Sequence, residues 1–415
     1  MKISELSHKC HVSQSAIRYY IKNGLLLPDS TNSQYVFSNR ELADLRQIIK
    51  MKQHNFTLKE IQDYFSLLRH SSVREQETIN ACLSLLNKKR DELYQQAESV
   101  QAAIQDIEQE IEGMNSCVFL SAQPTGVPLC ALPLLVCPVC GKTLRIEHAV
   151  IQEGFVLSGD LKCPSSDHVY NAMIDNGIVK TNNLYTAPYD HPDLNRGMYR
   201  DMKPDFSGYL VKCYDFIGGT LQEQDLHGKV IMEANINGYF YLYHHLHLLP
   251  EDCICIVIDK YPEMLEMYKA LIEQVGLQRN ILYIADASMN YPLRPECVDI
   301  HISYFGENEH QLYHQRSYLL DAQEYFRKDV LILGSLLSYK KNSPSRVKLR
   351  KKYPESNEHC YQVDYLRRDY ADANYSIEMV EVGTVMNTGE KRYAFDCHVA
   401  GDPLSIYHFQ AQRTR

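Results

Sequence analysis

Five short apolar runs in the second half of this 415-residue chain constrain its fold more than any other feature. They are Lys229-Val-Ile-Met-Glu233, Cys253-Ile-Cys-Ile-Val-Ile-Asp259, Asn280 to Ala285, Val298 to Ser303 and Asp329 to Gly334. Helical periodicity separates the first three, over Phe240 to Leu249 and Pro262 to Val275. Strands alternating with helices specify a parallel, doubly wound sheet. Ile377 to Met386 and Arg392 to Val399 read as an antiparallel hairpin at its edge. Such sheets bind ligands at the carboxyl ends of their strands. Glu233, Asp259 and Asp286 each follow one of three successive strands. An acid after the second strand is placed to accept from ribose hydroxyls, and one after the third from an adenine amino group.

The N-terminal region is of another kind. In Val12 to Pro28, Ser13 stands at an N-cap position and Ala16, Ile17 and Ile21 follow at helical spacing. Gly24 supplies a stop, and Pro28 bars continuation. By periodicity alone this suits a small surface helix as well as the second half of a helix-turn-helix. Arg18 can grip a phosphate or a guanine through its planar fork, and Tyr19 and Tyr20 can donate to phosphate oxygens. Residues 1–70 hold ten Lys/Arg against six Asp/Glu, a surplus of four positive charges in a chain of net charge −9, which leaves −13 for the remainder. A basic head on an acidic body orients a protein on nucleic acid.

From Val73 to Met114, Ile79, Leu83, Leu86, Arg90, Leu93, Ala97, Val100, Ile104, Ile107, Ile111 and Met114 recur at alternating intervals of four and three. This heptad stripe has one charged member. So narrow a stripe on so long a helix calls for a partner helix; packing against the protein's own body is the alternative. Residues 116–133 carry Gln123-Pro-Thr-Gly-Val-Pro128 and Pro133 and read as a linker. Cys137-Pro-Val-Cys140-Gly follows, with Cys163 and His168 as a second pair. Cys-x2-Cys-Gly between short strand-like runs points to a four-ligand zinc ribbon, with Leu144 to Glu147 and Gly154 to Leu157 as its hairpin. Reduced, metal-free thiols at these positions are the alternative. No run is long enough for a membrane span and Met1 to Leu6 is no signal peptide, so the expected compartment is the cytoplasm, with the 13 cysteines reduced apart from a metal site. The chain has 30 Tyr and no Trp. The basic run Lys340, Lys341, Arg346, Lys348, Arg350, Lys351 and Lys352 reads as a solvated loop or a second nucleic-acid contact.

Two resemblances join these readings. Ser13, Ile17, Arg18, Tyr19, Tyr20, Gly24, Leu25 and Pro28, followed by Tyr35-Val-Phe37, resemble the winged helix-turn-helix domain of MerR-type transcriptional regulators. In the wing, Gln34 and Val36 stand where the family has glycine and arginine. The resemblance implies binding of double-stranded promoter DNA through Ser13, Ser15, Arg18, Tyr19, Tyr20, Lys22, Tyr35 and Phe37. It also implies a homodimer joined by antiparallel long helices. The second half resembles class I S-adenosylmethionine-dependent methyltransferases: Asp259-Lys-Tyr-Pro-Glu-Met-Leu-Glu matches their second motif and Asp286-Ala-Ser-Met-Asn-Tyr-Pro-Leu their third. A zinc ribbon directly before such a domain is similar to zinc-ribbon ribosomal-RNA guanine methyltransferases. The first motif departs, reading Glu233-Ala-Asn-Ile-Asn-Gly238 with only its last glycine kept, and Ser303-Tyr-Phe-Gly-Glu stands where an Asn/Asp-Pro-Pro-Tyr signature would lie.

The expected chain is therefore multidomain, α plus α/β. Residues 1–70 form a winged helix-turn-helix, 71–115 a coiled-coil helix, 134–182 a ribbon holding zinc through Cys137, Cys140, Cys163 and His168, and 183–415 a Rossmann-like effector domain. S-adenosylmethionine or a relative is the implied ligand, contacting Glu233, Asn235, Gly238, Asp259, Lys260, Asp286 and Ala287. The expected function is a regulator whose degenerate methyltransferase-like domain senses this small effector, without catalytic residues. The rivals are an active methyltransferase carried to nucleic acid by its helix-turn-helix, and a multidrug sensor with a tyrosine-rich pocket.

Overall fold

The computed structural model describes residues 1–31, 34–70, 76–115, 125–185, 191–192, 194, 202–236, 239–276, 278–389 and 396–414. Two compact units meet in sequence between Val118 and Phe119.

The N-terminal unit begins with α1 (Ile3–Cys10) and α2 (Gln14–Lys22), joined through His11 in the left-handed conformation at φ 54°. Ser13 caps α2 as its sequence position predicts, its hydroxyl accepting from Ala16 N at 3.2 Å. The chain leaves α2 through Gly24 at φ 70°, where a side chain would be strained. The wing is a hairpin of β1 (Asp29–Thr31) and β2 (Gln34–Val36), with Ser30 opposite Tyr35. Next comes α3 (Asn39–Gln53), started by a capping box in which Ser38 N donates to Glu41 at 2.7 Å and Arg40 N to Ser38 at 3.0 Å. It is followed by α4 (Leu58–His70). Leu6, Ile17, Leu26, Leu45, Ile48 and Ile61 form the fully buried centre. The long helix α5 (Gln76–Asn115) runs for 40 residues. Leu85 packs on the head's core, and Lys89 bridges Glu60 at 2.8 Å and Glu92 at 2.7 Å. Further along, Val100, Ile104, Ile107, Ile111 and Met114 stay exposed, as do Ile79, Leu83 and Leu86.

The C-terminal unit starts with β3 (Val127–Pro128), which pairs with β5. Then come β4 (Arg145–Gln152), β5 (Phe155–Lys162), β6 (Asn171–Asp175) and β7 (Ile178–Lys180). The alternating part is α6 (Pro204–Gln222), β8 (Val230–Ala234), α7 (Tyr241–His245), β9 (Ile254–Asp259), α8 (Pro262–Val275), β10 (Asn280–Ala285), β11 (Val298–Tyr304), α9 (Gly306–His310), α10 (Tyr318–Ala322) and β12 (Phe326–Tyr339). The chain closes with α11 (Pro344–Lys352), α12 (Val363–Asp372), β13 (Tyr375–Met386) and β14 (Pro403–Arg413). One twelve-stranded sheet runs β13-β14-β12-β11-β8-β9-β10-β7-β6-β5-β3, with β4 on the far side of β5. Its five central strands are parallel. Helices cover both faces. Phe206 and Ile217 of α6 and Leu265 of α8 share one core with Ile231, Val257 and Ile302; Leu319 of α10 and Leu366 of α12 share the other with Met232, Ile256 and Ile284. Residues alternating along each strand thus face opposite cores, as a doubly wound sheet requires.

Four expectations need correction. Residues 127–133 are no linker: β3 pairs into the sheet, and Val127 and Ala131 are fully buried. The ribbon is not a separate module, because β7 pairs in parallel with β10 and continues the main sheet. The helix expected over Phe240 to Leu249 is α7 followed by a single 3-10 turn at Leu246–Leu248. The last strand lies at 403–413 rather than 392–399, of which 392–395 fall outside the described residues, and it inserts between β12 and β13. There Leu404, Ile406, Phe409 and Ala411 are buried between neighbours.

Candidate functional sites

On the head, Ser13, Ser15, Arg18, Tyr19, Lys22 and Tyr35 are all solvent-exposed, Tyr19 by 51%. They sit on α2 and the wing, so one helix and one hairpin present hydroxyls, phenols and two cations to the outside. Tyr20 is half-buried and packs on the core edge-to-face with Tyr19. Phe37 departs from expectation. It is 2% exposed in the head's core, and its backbone is tied to Met1, with Phe37 N donating to Met1 O at 2.9 Å. Its ring belongs to the head's core and is not presented to the outside with the other candidates.

Cys137, Cys140, Cys163 and His168 converge, with one ligand atom of each lying within 4.8 Å of the others. Cys137 Sγ stands 3.2 Å from His168 Nε2, and Cys140 Sγ 3.5 Å from Cys163 Sγ. With Zn–S bonds of about 2.3 Å and Zn–N bonds of about 2.0 Å, tetrahedral S···N and S···S separations are roughly 3.5 and 3.8 Å, each within a few tenths of an ångström of those seen here. The donor set therefore fits zinc with four protein ligands. The local fold makes the knuckle. Gly141 takes φ 70°, its N–H donates to the Cys137 carbonyl at 2.8 Å, and Ser165 N donates to Cys163 Sγ at 3.4 Å.

The third site lies where the strand order reverses, at the carboxyl ends of β8, β9 and β11. Asn235 leaves β8 at φ 59°, the left-handed turn that its side chain tolerates. Its Nδ2 is buried without a hydrogen-bond partner. Asp259 ends β9, 1% exposed. Its Oδ1 accepts from Tyr261 N at 2.9 Å, while its Oδ2 is buried without a partner. Burial pushes this carboxyl up to about 7, against the pull of the Lys260 ammonium. One orphaned donor and one orphaned acceptor thus lie on adjoining strand ends, a costly arrangement unless a ligand completes it. Glu233 is different: its two oxygens accept from Tyr241 N at 2.7 Å and Leu242 N at 2.9 Å, so the carboxylate caps α7. Burial raises it to about 8.

The carboxyl end of β10 is closed by the chain itself. Residues 181–185, just after β7, cross the strand ends: Thr181 Oγ1 donates to Asp286 Oδ2 at 2.5 Å, and Ala287 N donates to the Asn183 carbonyl at 2.6 Å. Ser288 donates to Asp286 Oδ1 through N at 2.6 Å and Oγ at 2.7 Å. Lys260 is 6% exposed, paired with Glu309 and stacked 3.5 Å from the Tyr313 ring centroid. Gly238 lies outside the described residues. Where the fourth strand ends, Phe305 adopts φ 59°, uncommon for a bulky residue. Gly306 brings its backbone against the Ala234 carbonyl so closely that a Cβ would stand 2.6 Å from that oxygen. Sequence reasoning missed this tight crossing and the 181–185 cover.

Residues 1–68 match the profile of the family described as MerR HTH family regulatory protein. The N-terminal head is thus a MerR-type helix-turn-helix domain, carried by a chain whose C-terminal unit has a mixed α/β sheet with methyltransferases among its structural neighbours. A putative MerR family transcriptional regulator from Listeria monocytogenes is similar at 26% identity, over 28% of this chain and 86% of its own, with a TM-score of 0.25. A putative methyltransferase from Bacillus halodurans is similar at 12% identity, over 48% of this chain and 99% of its own, with a TM-score of 0.35. A SAM-dependent methyltransferase from Geobacter sulfurreducens, in complex with S-adenosyl-L-homocysteine, is similar at 11% identity, over 54% of this chain and 100% of its own, with a TM-score of 0.37. No curated protein matches the chain.

Proposed function

We propose that the chain is a DNA-binding transcriptional regulator, dimeric through α5, whose sheet domain binds an adenosine-type effector of the S-adenosylmethionine class. The observation that carries the ligand reading is the orphaned Asp259 Oδ2 beside the orphaned Asn235 Nδ2 at the switch point. A ribose diol offers donors for the carboxylate and an acceptor for the amide. Asp259 and Asn235 would hold the sugar, while the self-satisfied Asp286 and Ala287 require residues 181–185 to yield before an adenine could dock. Glu233 then serves the pocket from behind, by fixing α7. The dimer reading rests on the exposed apolar stripe of α5, which suits a second copy of the same helix. The DNA reading rests on the MerR-type head and its exposed cations. Zinc at the Cys/His cluster would be structural, four protein ligands leaving no position for a reacting water.

Calorimetric titration of the full chain with S-adenosylmethionine and S-adenosylhomocysteine tests the effector. Binding should be seen for the wild type and lost for Asp259→Ala, which removes a charged acceptor. No binding of either ligand at millimolar concentration would end this reading. Transfer of a labelled methyl group to nucleic acid would replace the sensor with an active methyltransferase.

A further inference from the structure

A second group of metal-type ligands lies in a stretch to which the reading above gives no role. His310 ends α9, and helical geometry persists beyond it, the His314 N–H donating to the His310 carbonyl at 3.1 Å. Four residues apart, the two imidazoles share a face. Their centroids are 4.1 Å apart and their planes inclined by only 8°, a stack from which one ring must turn to aim both nitrogens at a single ion. Asp321 arrives from α10 and places Oδ2 3.2 Å from His310 Nε2. One ligand atom from each of the three lies within 4.8 Å of the others. His310 is buried, and its Nδ1 has no hydrogen-bond partner. His314 and Asp321 are half-buried, which leaves an approach from solvent.

The cluster is also held in place. Glu307, fully buried on α9, accepts from the first backbone N–H groups of α10, Tyr318 at 2.9 Å and Leu319 at 3.3 Å, and from the Tyr370 hydroxyl at 3.2 Å. This carboxylate clamps the helix bearing Asp321 to the helix bearing His310. Ligands on clamped helices keep their geometry better than ligands on loops. Arg316 pairs with the other Asp321 oxygen, Oδ1, at 3.2 Å, and its own side chain is 61% exposed, so it can swing out to solvent.

We propose that His310, His314 and Asp321 form a second metal site, one that takes a divalent transition-metal ion. Two imidazole nitrogens with one carboxylate oxygen are a borderline donor set, suited to zinc, nickel, cobalt or iron(II) rather than to magnesium or calcium. With metal–ligand bonds of about 2.1 Å, neighbouring ligand atoms on one ion stand roughly 3.0–3.4 Å apart. The 3.2 Å His310–Asp321 separation meets that requirement. Three protein ligands leave coordination positions open, so this ion could exchange and take an external ligand. The Cys/His cluster has no such opening. The inference stands whether or not the sheet domain binds an adenosine-type effector.

The test is metal stoichiometry on the full-length protein, dialysed against nickel(II) and separately against cobalt(II), then measured by elemental analysis. The wild type should hold one metal equivalent more than His314→Ala and one more than Asp321→Asn. In the cobalt arm, the thiolate-to-cobalt absorption of the Cys/His cluster should be the same in all three. Equal metal content in wild type and variants overturns the proposal, as does a loss that removes the thiolate signal with it. The wild type alone gives an independent check. If all of its bound cobalt is thiolate-ligated, the site does not exist, whatever the variants do.

Discussion

Gly306→Ala probes the crossing between the end of β8 and the start of α9. Gly306 does not occupy a left-handed conformation, so alanine can adopt its backbone and the effect is steric. The added Cβ would lie 2.6 Å from the Ala234 carbonyl oxygen, where ordinary contact begins at 3.4 Å. The two backbones must therefore separate by about 0.8 Å, and no side chain can rotate to absorb the strain. Overpacking of this kind costs about 1–3 kcal/mol. Alanine's better helix propensity returns up to about 1 kcal/mol. The net expectation is a loss of about 1–2 kcal/mol, a downward shift of a few degrees in Tm for a unit of this size. Ala234 lies between Glu233 and Asn235, so the displaced strand end carries the orphaned amide. Each 1.4 kcal/mol of lost ligand contact is about tenfold in affinity. Urea denaturation reads the first effect and calorimetry with S-adenosylhomocysteine the second. A variant with wild-type stability and wild-type ligand affinity would refute the reasoning from the Ala234 contact.

Arg18→Ala should weaken operator binding across DNA sequences and flatten the salt dependence by about one unit, as loss of one phosphate contact does; unchanged affinity in a gel-shift titration removes Arg18 from the interface. Leu86→Glu with Leu93→Glu places carboxylates in the α5 seam and should yield monomers; light scattering that shows a monomeric wild type ends the coiled-coil reading. The ligand-free protein should lose stability as pH rises from 6.5 to 8.5. Burial raises Glu233 to about 8 and Asp259 and Glu307 to about 7, so the folded state holds protons that the unfolded state has released, and their contribution is lost as pH passes through those values. His301 acts in the opposite sense but at lower pH: burial depresses it to about 4, so its contribution is complete above the unfolded value near 6.5 and fades only on acidification. A urea midpoint that is equal or higher at pH 8.5 contradicts this assignment.

What could be read from the sequence was local. Ser13 as a cap, Gly24 as a stop, the strand ending at Asp259 and the helix from Pro262 to Val275 depend on neighbouring residues, and the structure has each of them. Phe37 misled because a short wing strand alternates too briefly to tell its inner from its outer face; the core that buries it is assembled from residues as distant in sequence as Leu6 and Phe65. The Thr181–Asp286 hydrogen bond spans 105 residues, and no pattern in either segment announces it. His310 and His314 are one helical turn apart, a spacing visible in the sequence. Asp321 joins them only because Glu307 caps α10, and that follows from packing.

The β7–β10 pairing has a consequence for solubility. A parallel sheet ending at β10 would present a row of unpaired backbone N–H and C=O groups, a template for association with another chain. The ribbon covers that row with β7 and carries the ladder on to β3 and β4. At the opposite side the outermost strand, β13, is broken by a register shift between Glu381 and Gly383 and bears Glu378 and Glu381, devices that discourage edge-to-edge pairing. β7 and the ribbon strands beyond it therefore guard one side of the sheet against aggregation. Substitutions that loosen β7 from β10 should first be seen as clumping of the protein.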